Sequence, residues 1–223
     1  MVGRLILSGG GNEKQTYVLD EVFLKNVNKI LYIPIAWKND DFKSCLKWFK
    51  NMISQHNKKV RITMLTDLSK NIKLENYDAV YIGGGNTFKL LNKIKENKFD
   101  KKLLDFYKKG KTIYGGSAGA IIFGNNINTA LICKDADINE VKLKDSSGLN
   151  LINNYDIQCH FEDAQIKEHQ EFIKKTGREI IAIPEESSVL VENNKIKVVG
   201  LKPVTVIAKE CTRKIKVNET TTL

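Results

Sequence analysis

The sequence lacks long hydrophobic runs and paired-cysteine motifs, and it contains only 3 prolines. No apolar stretch approaches the roughly 20 residues that a membrane-spanning helix needs. The apolar run in the N-terminal MVGRLILSGGGNEK is short, which is typical of a first strand rather than of a signal peptide. We therefore expect a cytoplasmic protein with no membrane partner. Without repeats or a linker rich in Pro, Gly or Ser, the 223 residues favour a single domain over 1–223.

Cysteine and histidine are too few and too scattered to indicate a metal centre. The four cysteines form no CxxC pair, and we interpret them as reduced thiols of the core; they are Cys45, Cys133, Cys159 and Cys211. The three histidines are dispersed along the chain, which argues against a zinc cluster. The sequence therefore predicts neither a metal ion nor another cofactor.

Arginine is scarce as well, although the net charge is +10. The chain has 4 Arg beside 32 Lys, and Arg is the residue that reads bases and clamps phosphates with a planar fork. The lysines are spread along the whole chain, and no RRM, KH or helix-turn-helix signature accompanies them. We interpret the charge as a solvated lysine surface and expect no nucleic-acid partner.

Short apolar runs rich in Ile and Val alternate with longer amphipathic stretches. Strands are predicted over 4–8, 29–35, 60–65, 78–82 and 111–115, and helices over 41–56, from Thr87 onwards and over about 101–109. This alternation indicates parallel strands joined by right-handed crossovers, in a sheet covered on both faces. From residue 179 short strands follow one another, with a hairpin turn at Glu192-Asn193-Asn194. We predict an α/β domain whose mostly parallel sheet ends in antiparallel strands.

A serine lies in the glycine-rich run YGGSAGAII at 114–122. The run matches G-x-S-x-G, the pattern of a nucleophile on a sharp turn between a strand and a helix. Small neighbours are needed because the helix packs closely on the strand, and the Ser117 hydroxyl then stands at the carboxyl edge of the sheet. Such turns also serve packing or phosphate binding, so the motif alone is only moderately specific. The predicted strand before Ser117 and the apolar AGAIIF after it favour a nucleophile.

A second glycine run, Gly83-Gly84-Gly85-Asn86-Thr87, directly follows the predicted strand DAVYI. Because one βαβ unit separates this run from Ser117, both loops should emerge side by side at one sheet edge. A glycine loop there can point a backbone N–H at a substrate carbonyl and form an oxyanion hole with the N–H of Ala118. A phosphate cradle is the alternative, but neither GGGNTF nor Gly9-Gly10-Gly11-Asn12 matches a nucleotide-binding motif.

A serine nucleophile needs a base, and histidine is the usual one because it titrates near neutral pH. His160 ends the apolar run YDIQC, at the carboxyl end of a predicted strand, which favours a catalytic position. His169 lies in the polar helix EDAQIKEHQEFIKK, and His56 lies in a Lys-rich stretch. We interpret both as solvated surface residues.

The sequence does not decide which acidic residue would orient the base. The α/β-hydrolase order places it between serine and histidine, where the candidates are Asp135, Asp137 and Asp156. The other order places it last. Glu185 then qualifies because it follows the predicted strand IIAIP, whereas the adjacent Glu186 should point elsewhere.

Four segments together resemble the peptidase S51 family, which comprises dipeptidase E (aspartyl dipeptidase) and its relatives and also includes cyanophycinase. The segments occur in the family's order and spacing; they are YIGGGNTFKLL at 81–91, YGGSAGAIIFG at 114–124, IQCHFED at 157–163 and IPEESSVLVENNKIKVVG at 183–200. The combination of GGGNTF with GxSAGA is much more specific than either motif alone. The resemblance covers about residues 4 to 208.

The resemblance implies a class I glutamine-amidotransferase-like three-layer sandwich with serine in place of the amidotransferase cysteine. It makes Ser117 the nucleophile, His160 the base and Glu185 the orienting acid, and so favours the order Ser–His–Glu. It also makes the N–H groups of Gly85 and Ala118 the oxyanion donors. No cofactor is implied.

The family's dipeptidases also bind the free amine of the substrate with an Asp after the serine. The corresponding region here, ALICKDADINEV, departs from their pattern, so Asp135 and Asp137 are both candidates for substrate contact, together with Asn86. We predict a serine peptidase for short peptides, with a homodimer as the candidate assembly. The rival hypotheses are another serine amide or ester hydrolase, such as a cyanophycinase-like enzyme, and a non-enzymatic basic binding protein.

Overall fold

A computed structural model of the chain describes residues 3–56, 59–133 and 135–222. The strands are β1 Arg4–Ser8, β2 Lys29–Ile33, β3 Arg61–Met64, β4 Ala79–Ile82, β5 Thr112–Gly116, β6 Asp156–Gln158, β7 Ile180–Ala182, β8 Ser187–Glu192, β9 Lys195–Gly200, β10 Val204–Ile207, β11 Thr212–Ile215 and β12 Thr220–Thr222. The α-helices are α1 Glu13–Phe23, α2 Phe42–Ser54, α3 Thr87–Glu96, α4 Phe99–Lys108, α5 Ala118–Ile121 and α6 Ile166–Thr176. Short 3-10 turns cover Lys38–Asp40, Leu74–Asn76, Asn128–Leu131 and Asp163–Gln165.

Eight strands form a large sheet in the order β12-β9-β8-β1-β5-β4-β2-β3. The five strands from β1 to β3 in this order are parallel, whereas β8, β9 and β12 extend the sheet in antiparallel fashion. The central strands are buried almost throughout, because helices cover both faces and leave no polar side for the strands to present. The mixed α/β fold class predicted from the alternating pattern is confirmed.

One face of the large sheet is covered by α1 and α2. Helix α2 begins after Asp41, whose side chain accepts a hydrogen bond from the Ser44 N–H at 3.1 Å, and it buries the apolar residues spaced three and four apart. The face that it contacts is aromatic: Phe49 stacks on Tyr32 with ring centroids 4.1 Å apart. This face forms the back of the cavity described below.

The opposite face carries α3, α4 and α5 and also a second sheet of four strands. The second sheet has the order β11-β10-β7-β6, in which only β6 and β7 run parallel. Valines of β8 and β9 pack in one core with those of β10, while α6 packs on the outside of the small sheet through Ile173. The antiparallel C-terminal strands predicted from the sequence are present, but they are divided between two sheets: β8, β9 and β12 extend the large sheet, whereas β10 pairs with β7 and β11 pairs with β10.

The turn between β8 and β9 is the hairpin predicted from the sequence. Glu192 pairs with Lys195, so Asn193 and Asn194 form a two-residue loop. Both asparagines have positive φ, 49° and 58°, as a primed hairpin turn requires.

The sequence predicted neither a membrane-spanning helix nor paired cysteines. No helix within 3–56, 59–133 or 135–222 is both long enough and apolar enough to cross a bilayer. The cysteines are free thiols, and Cys45 and Cys159 are buried as expected, but Cys211 is exposed and is not a core residue. The single domain over 1–223 remains a prediction.

Candidate active site

Glycine-rich loops gather at the carboxyl edge of the parallel strands. The pairing of β4 with β5 matches Ile82 with Gly115, which places the loop Gly83–Asn86 beside the turn that holds Ser117. The loop that follows β1 lies on the other side of β5, and the Ser117 N–H donates to the Ser8 carbonyl at 3.1 Å. The hydroxyl therefore stands between two glycine loops.

Ser117 occupies a strained backbone conformation, with φ 53° and ψ −117°. The glycines beside it are required by close packing. A Cβ on Gly115 would lie 2.1 Å from the Gly119 carbonyl oxygen, and one on Gly119 would lie 2.3 Å from the Ile82 carbonyl oxygen. Only glycine allows the helix to approach the strand this closely, which explains the sequence GGSAG.

His160 reaches the serine from the second sheet. It lies two residues beyond the end of β6, with a positive φ of 53°, and its N–H donates to the Gly9 carbonyl at 3.0 Å. Its Nε2 is 2.8 Å from Ser117 Oγ. The hydrogen bond to Gly9 thus connects the two sheets at the point where the imidazole meets the hydroxyl.

Glu185 lies beyond the end of β7, the strand that runs parallel to β6. Its Oε1 is 2.9 Å from His160 Nδ1. Because an ionised carboxylate only accepts hydrogen bonds, Nδ1 is the donor in this pair. In a neutral imidazole Nε2 is then free to accept the Ser117 proton, which is the tautomer that a general base requires.

The two neighbouring glutamates have different partners. The second oxygen of Glu185, Oε2, accepts a hydrogen bond from Gln15 Nε2 at 3.2 Å. Glu186 instead pairs with Lys202, with 2.7 Å between Oε1 and Nζ. Burial by itself would raise the pKa of Glu186, but the hydrogen bond and charge of Lys202, together with further hydrogen bonds, lower it.

Of the two predicted oxyanion donors, Ala118 directly follows Ser117 in sequence, and Gly85 belongs to the loop that follows β4. Within the described part of the chain, the N–H groups of Gly85 and Ala118 have no hydrogen-bond acceptor. Gly85 has a φ of 122°, and a Cβ there would lie 2.0 Å from the Ala36 carbonyl oxygen. A Cβ on Gly84 would lie 3.2 Å from Ser117 Cβ. The loop thus approaches the serine through backbone alone.

The three residues predicted to contact substrate lie at or near the start of α3. Asn86 caps this helix: its Oδ1 accepts from the Lys89 N–H at 2.9 Å, and its Nδ2 donates to the Ile138 carbonyl at 2.9 Å. Asp137 Oδ2 accepts from the Thr87 N–H at 2.8 Å. Asp135 is exposed in the same segment. Asn86 and Asp137 thus hold the segment against the loop; substrate contact by any of the three remains a prediction.

The loop after β1 is the part of the site that sequence reasoning missed. Gly9–Asn12 was considered only as a nucleotide motif and set aside. Gly10 has a φ of 100°, and a Cβ there would lie 2.6 Å from His160 Cε1 and 2.9 Å from Ser117 Cβ. The available signal was positional, since this glycine run also directly follows a strand that was predicted to be parallel.

Other sequence candidates lie elsewhere. Asp156 is buried in β6, where it pairs with Arg178 at 2.8 Å. The interpretation of His169 as a surface residue was wrong: its side chain is fully buried, Nδ1 donates to the Gln165 carbonyl at 2.7 Å, and the ring meets Phe161 edge-on. Burial lowers the pKa of His169. His56 is half-buried and stacks on Tyr17.

A serine on a strained strand-to-helix turn, hydrogen-bonded to an imidazole, is the arrangement of a serine-type hydrolase. The chain belongs to peptidase family S51, whose family model matches residues 5–199. It is therefore a serine-type peptidase.

Curated relatives agree with this family. A peptidase E from Nostoc sp. (strain PCC 7120) is 24% identical over 207 residues, covering 87% of this chain and 83% of the relative. A peptidase E from Escherichia coli (strain K12 / DH10B) is 31% identical over 120 residues, 52% of this chain and 49% of the relative.

The fold is also similar to that of solved structures. A candidate peptidase E protein from Listeria monocytogenes EGD-e has a TM-score of 0.72 at 24% identity, covering 91% of this chain and all of that one. A peptidase from an acI-B1 actinobacterium has a TM-score of 0.71 at 15% identity, covering 100% of this chain and 98% of that one. At these identities the likeness establishes the fold alone.

Proposed function

We propose that the protein hydrolyses short peptides through an acyl-enzyme formed on Ser117. The observation that carries the proposal is the pair of hydrogen bonds that joins Ser117 Oγ to His160 Nε2 and His160 Nδ1 to Glu185 Oε1, at 2.8 and 2.9 Å. This arrangement supplies a nucleophile, a base and an acid that orients the base. The name peptidase E, given to several relatives, favours peptides over other amides as substrates.

The reaction would proceed in two halves. Ser117 Oγ attacks the scissile carbonyl carbon while His160 Nε2 takes its proton, and Glu185 stabilises the imidazolium that results. The oxyanion accepts hydrogen bonds from the N–H groups of Gly85 and Ala118. His160 then protonates the leaving amine, and water, activated by the same imidazole, releases the acyl group from Ser117.

The test of this function is incubation of the purified protein with dipeptides, tripeptides and longer peptides, together with simple esters. We expect release of free amino acids from the shortest peptides, followed by mass spectrometry or an amine assay. Hydrolysis of esters without cleavage of any peptide would contradict the peptidase proposal and indicate another serine hydrolase.

A further prediction concerns Gln15, which touches the acid rather than the reacting atoms. Its Oε1 accepts the Asn12 N–H at 2.9 Å within a capping box of α1, while its Nε2 donates to Glu185. Gln15→Glu keeps the acceptor of the capping box but replaces the donor with a negative charge. We expect kcat to fall by about tenfold, since one unpaired hydrogen bond to a charged group is worth roughly 1.5–3 kcal/mol.

The pH dependence of kcat/KM distinguishes an effect of Gln15 on the base from an effect on folding alone. A second negative charge beside Glu185 favours the charged imidazolium, so the acid limb of kcat/KM should move to higher pH in Gln15→Glu. Gln15→Ala, which removes the donor without adding charge, should lower kcat without this movement. If the limb stays in place in Gln15→Glu, Gln15 has no influence on the base.

A further inference from the structure

A cavity of about 350 Å³ opens beside the Ser117 hydroxyl. Glycines of the three loops line its mouth, and aromatic rings form its walls; these are Tyr32, Trp37, Trp48, Tyr81 and Tyr114. The volume is at the lower end of the range found for ligand pockets, and an aromatic lining with a few polar groups is typical of them. It suits one side chain of a bound peptide better than a large ligand.

The polar groups of this cavity are uncharged. Ser8, Thr16 and Asn12 contribute neutral polar side chains, and no lysine, arginine, aspartate or glutamate is among the lining residues that the structure describes. The tyrosine rings are 1–5% exposed, and Tyr81 stacks on Tyr114 with centroids 4.4 Å apart. The more accessible aromatic surface is that of Trp37 and Trp48. A side chain that enters therefore finds indole surface and neutral hydrogen-bonding groups, with no group in the described lining to pair a carboxylate except the His160 imidazole.

A buried carboxyl group lies directly behind the lining. Asp20 of α1 is fully buried, and the Thr16 hydroxyl donates to its Oδ2 at 2.9 Å. Its Oδ1 is buried without a hydrogen-bond partner among the described residues. Burial, with a smaller contribution from the charge of Glu13, raises the pKa of Asp20 to about 7. This region thus already disfavours one negative charge, and a second carboxylate nearby would be disfavoured further.

We propose that this cavity selects one of the two side chains that flank the scissile bond, that it takes an uncharged aromatic or aliphatic side chain, and that it rejects a carboxylate. The proposal rests on the proposed function of Ser117. Apolar side chains gain from burial against the rings, whereas a carboxylate would lose its hydration without gaining a cationic partner. Cleavage would then favour neutral residues at this position over acidic ones.

The first test compares two series of dipeptides, Xaa-Leu and Leu-Xaa, with Xaa as Phe, Leu, Asn or Asp. In one series we expect Phe and Leu to be cleaved with a kcat/KM about 100-fold or more above that of Asp. Asn, which has the shape of Asp without its charge, should lie between them. If neither series shows this order, the proposal is overturned.

The Ser117→Ala variant distinguishes failure of the proposed selectivity from failure of the proposed function. Cleavage that requires Ser117 but is fastest with Asp would overturn the selectivity alone. An absence of Ser117-dependent cleavage in both series would overturn the proposed function together with it.

Binding can be measured without turnover, because the cavity contains both tryptophans of the chain, Trp37 and Trp48. In the Ser117→Ala protein we expect the preferred Phe peptide to change the tryptophan emission with saturation. The matching Asp peptide should have no effect at the same concentrations. Equal or tighter binding of the Asp peptide would overturn the proposal.

An isosteric variant tests the contribution of the buried carboxyl group. Asp20→Asn keeps an acceptor for the Thr16 hydroxyl but removes the charge. We expect the kcat/KM of the Asn peptide divided by that of the Asp peptide to fall severalfold in this variant. The melting temperature verifies that the variant is folded. An unchanged ratio in a folded variant would contradict the role given to Asp20.

Discussion

Replacing Ser117 by Ala is expected to lower kcat/KM for the best short peptide by a factor on the order of 10,000 or more. The loss is large because no other group in the described site can form the acyl-enzyme, and the base and oxyanion donors then have only water to act on. The fold should not change, since among the described residues the Ser117 hydroxyl is hydrogen-bonded only to the His160 imidazole. Initial rates over a range of substrate concentrations measure the loss.

The matched control is Ser54→Ala, which removes an exposed hydroxyl at the end of α2 that donates to the Asn51 carbonyl. This variant should keep the wild-type kcat/KM. Near wild-type hydrolysis by Ser117→Ala would mean that the reaction takes place without the nucleophile assigned here.

Replacing Gly10 by Ala should lower the activity, although the loop after β1 carries no side chain proposed to act in catalysis. The new methyl group would lie 2.6 Å from His160 Cε1, and the φ of 100° is itself unfavourable for alanine. The imidazole has to move, and a displacement of about 1 Å at a catalytic group can lower the rate about 100-fold. We expect kcat to fall by about that factor and the melting temperature to fall as well, because residues forced into such backbone regions cost roughly 1–3 kcal/mol.

A Gly177→Ala variant distinguishes displacement of the His160 imidazole from backbone strain. Gly177 also has a positive φ, 71°, at the end of α6, but a Cβ there has nothing within 4 Å. This variant should lose stability through backbone strain and keep its kcat. If Gly10→Ala and Gly177→Ala have equal kcat values, contact between the loop after β1 and His160 is not important for the rate.

The elements that position the serine could be predicted because local sequence determines them. The strand at 111–115 and the glycines around Ser117 form a pattern that only a tight strand-to-helix turn satisfies, and the strand extends one residue further, to Gly116. The alternation of strands and helices likewise predicted that the loops after β4 and β5 are neighbours.

The second sheet could not be predicted from the same patterns. The sequence placed His160 and Glu185 after predicted strands, but it did not show that these strands, β6 and β7, pair in the small sheet. Periodicity identifies a strand but not its partner, and the choice of β10 between the two sheets depends on packing of valines that are far apart in sequence. The bonds from Ser117 to His160 and from His160 to Glu185 therefore depend on how two sheets meet.

Burial of polar side chains escaped prediction for a related reason. His169 and Asp20 lie in helices with many charged residues, so their sequence surroundings indicate solvent. Both are fully buried, because each points from its helix towards a sheet. Helical spacing shows which residues share a face, but the exact width of the buried stripe depends on the neighbouring element.

The claim on which all else depends is that Ser117 is a nucleophile activated by His160. The most direct measurement is the mass of the intact protein after reaction with a fluorophosphonate, followed by peptide mapping. We expect a single adduct on Ser117 that forms far more slowly in a His160→Ala variant. An adduct on a different residue, or labelling of Ser117 at the same rate without the imidazole, would contradict the claim.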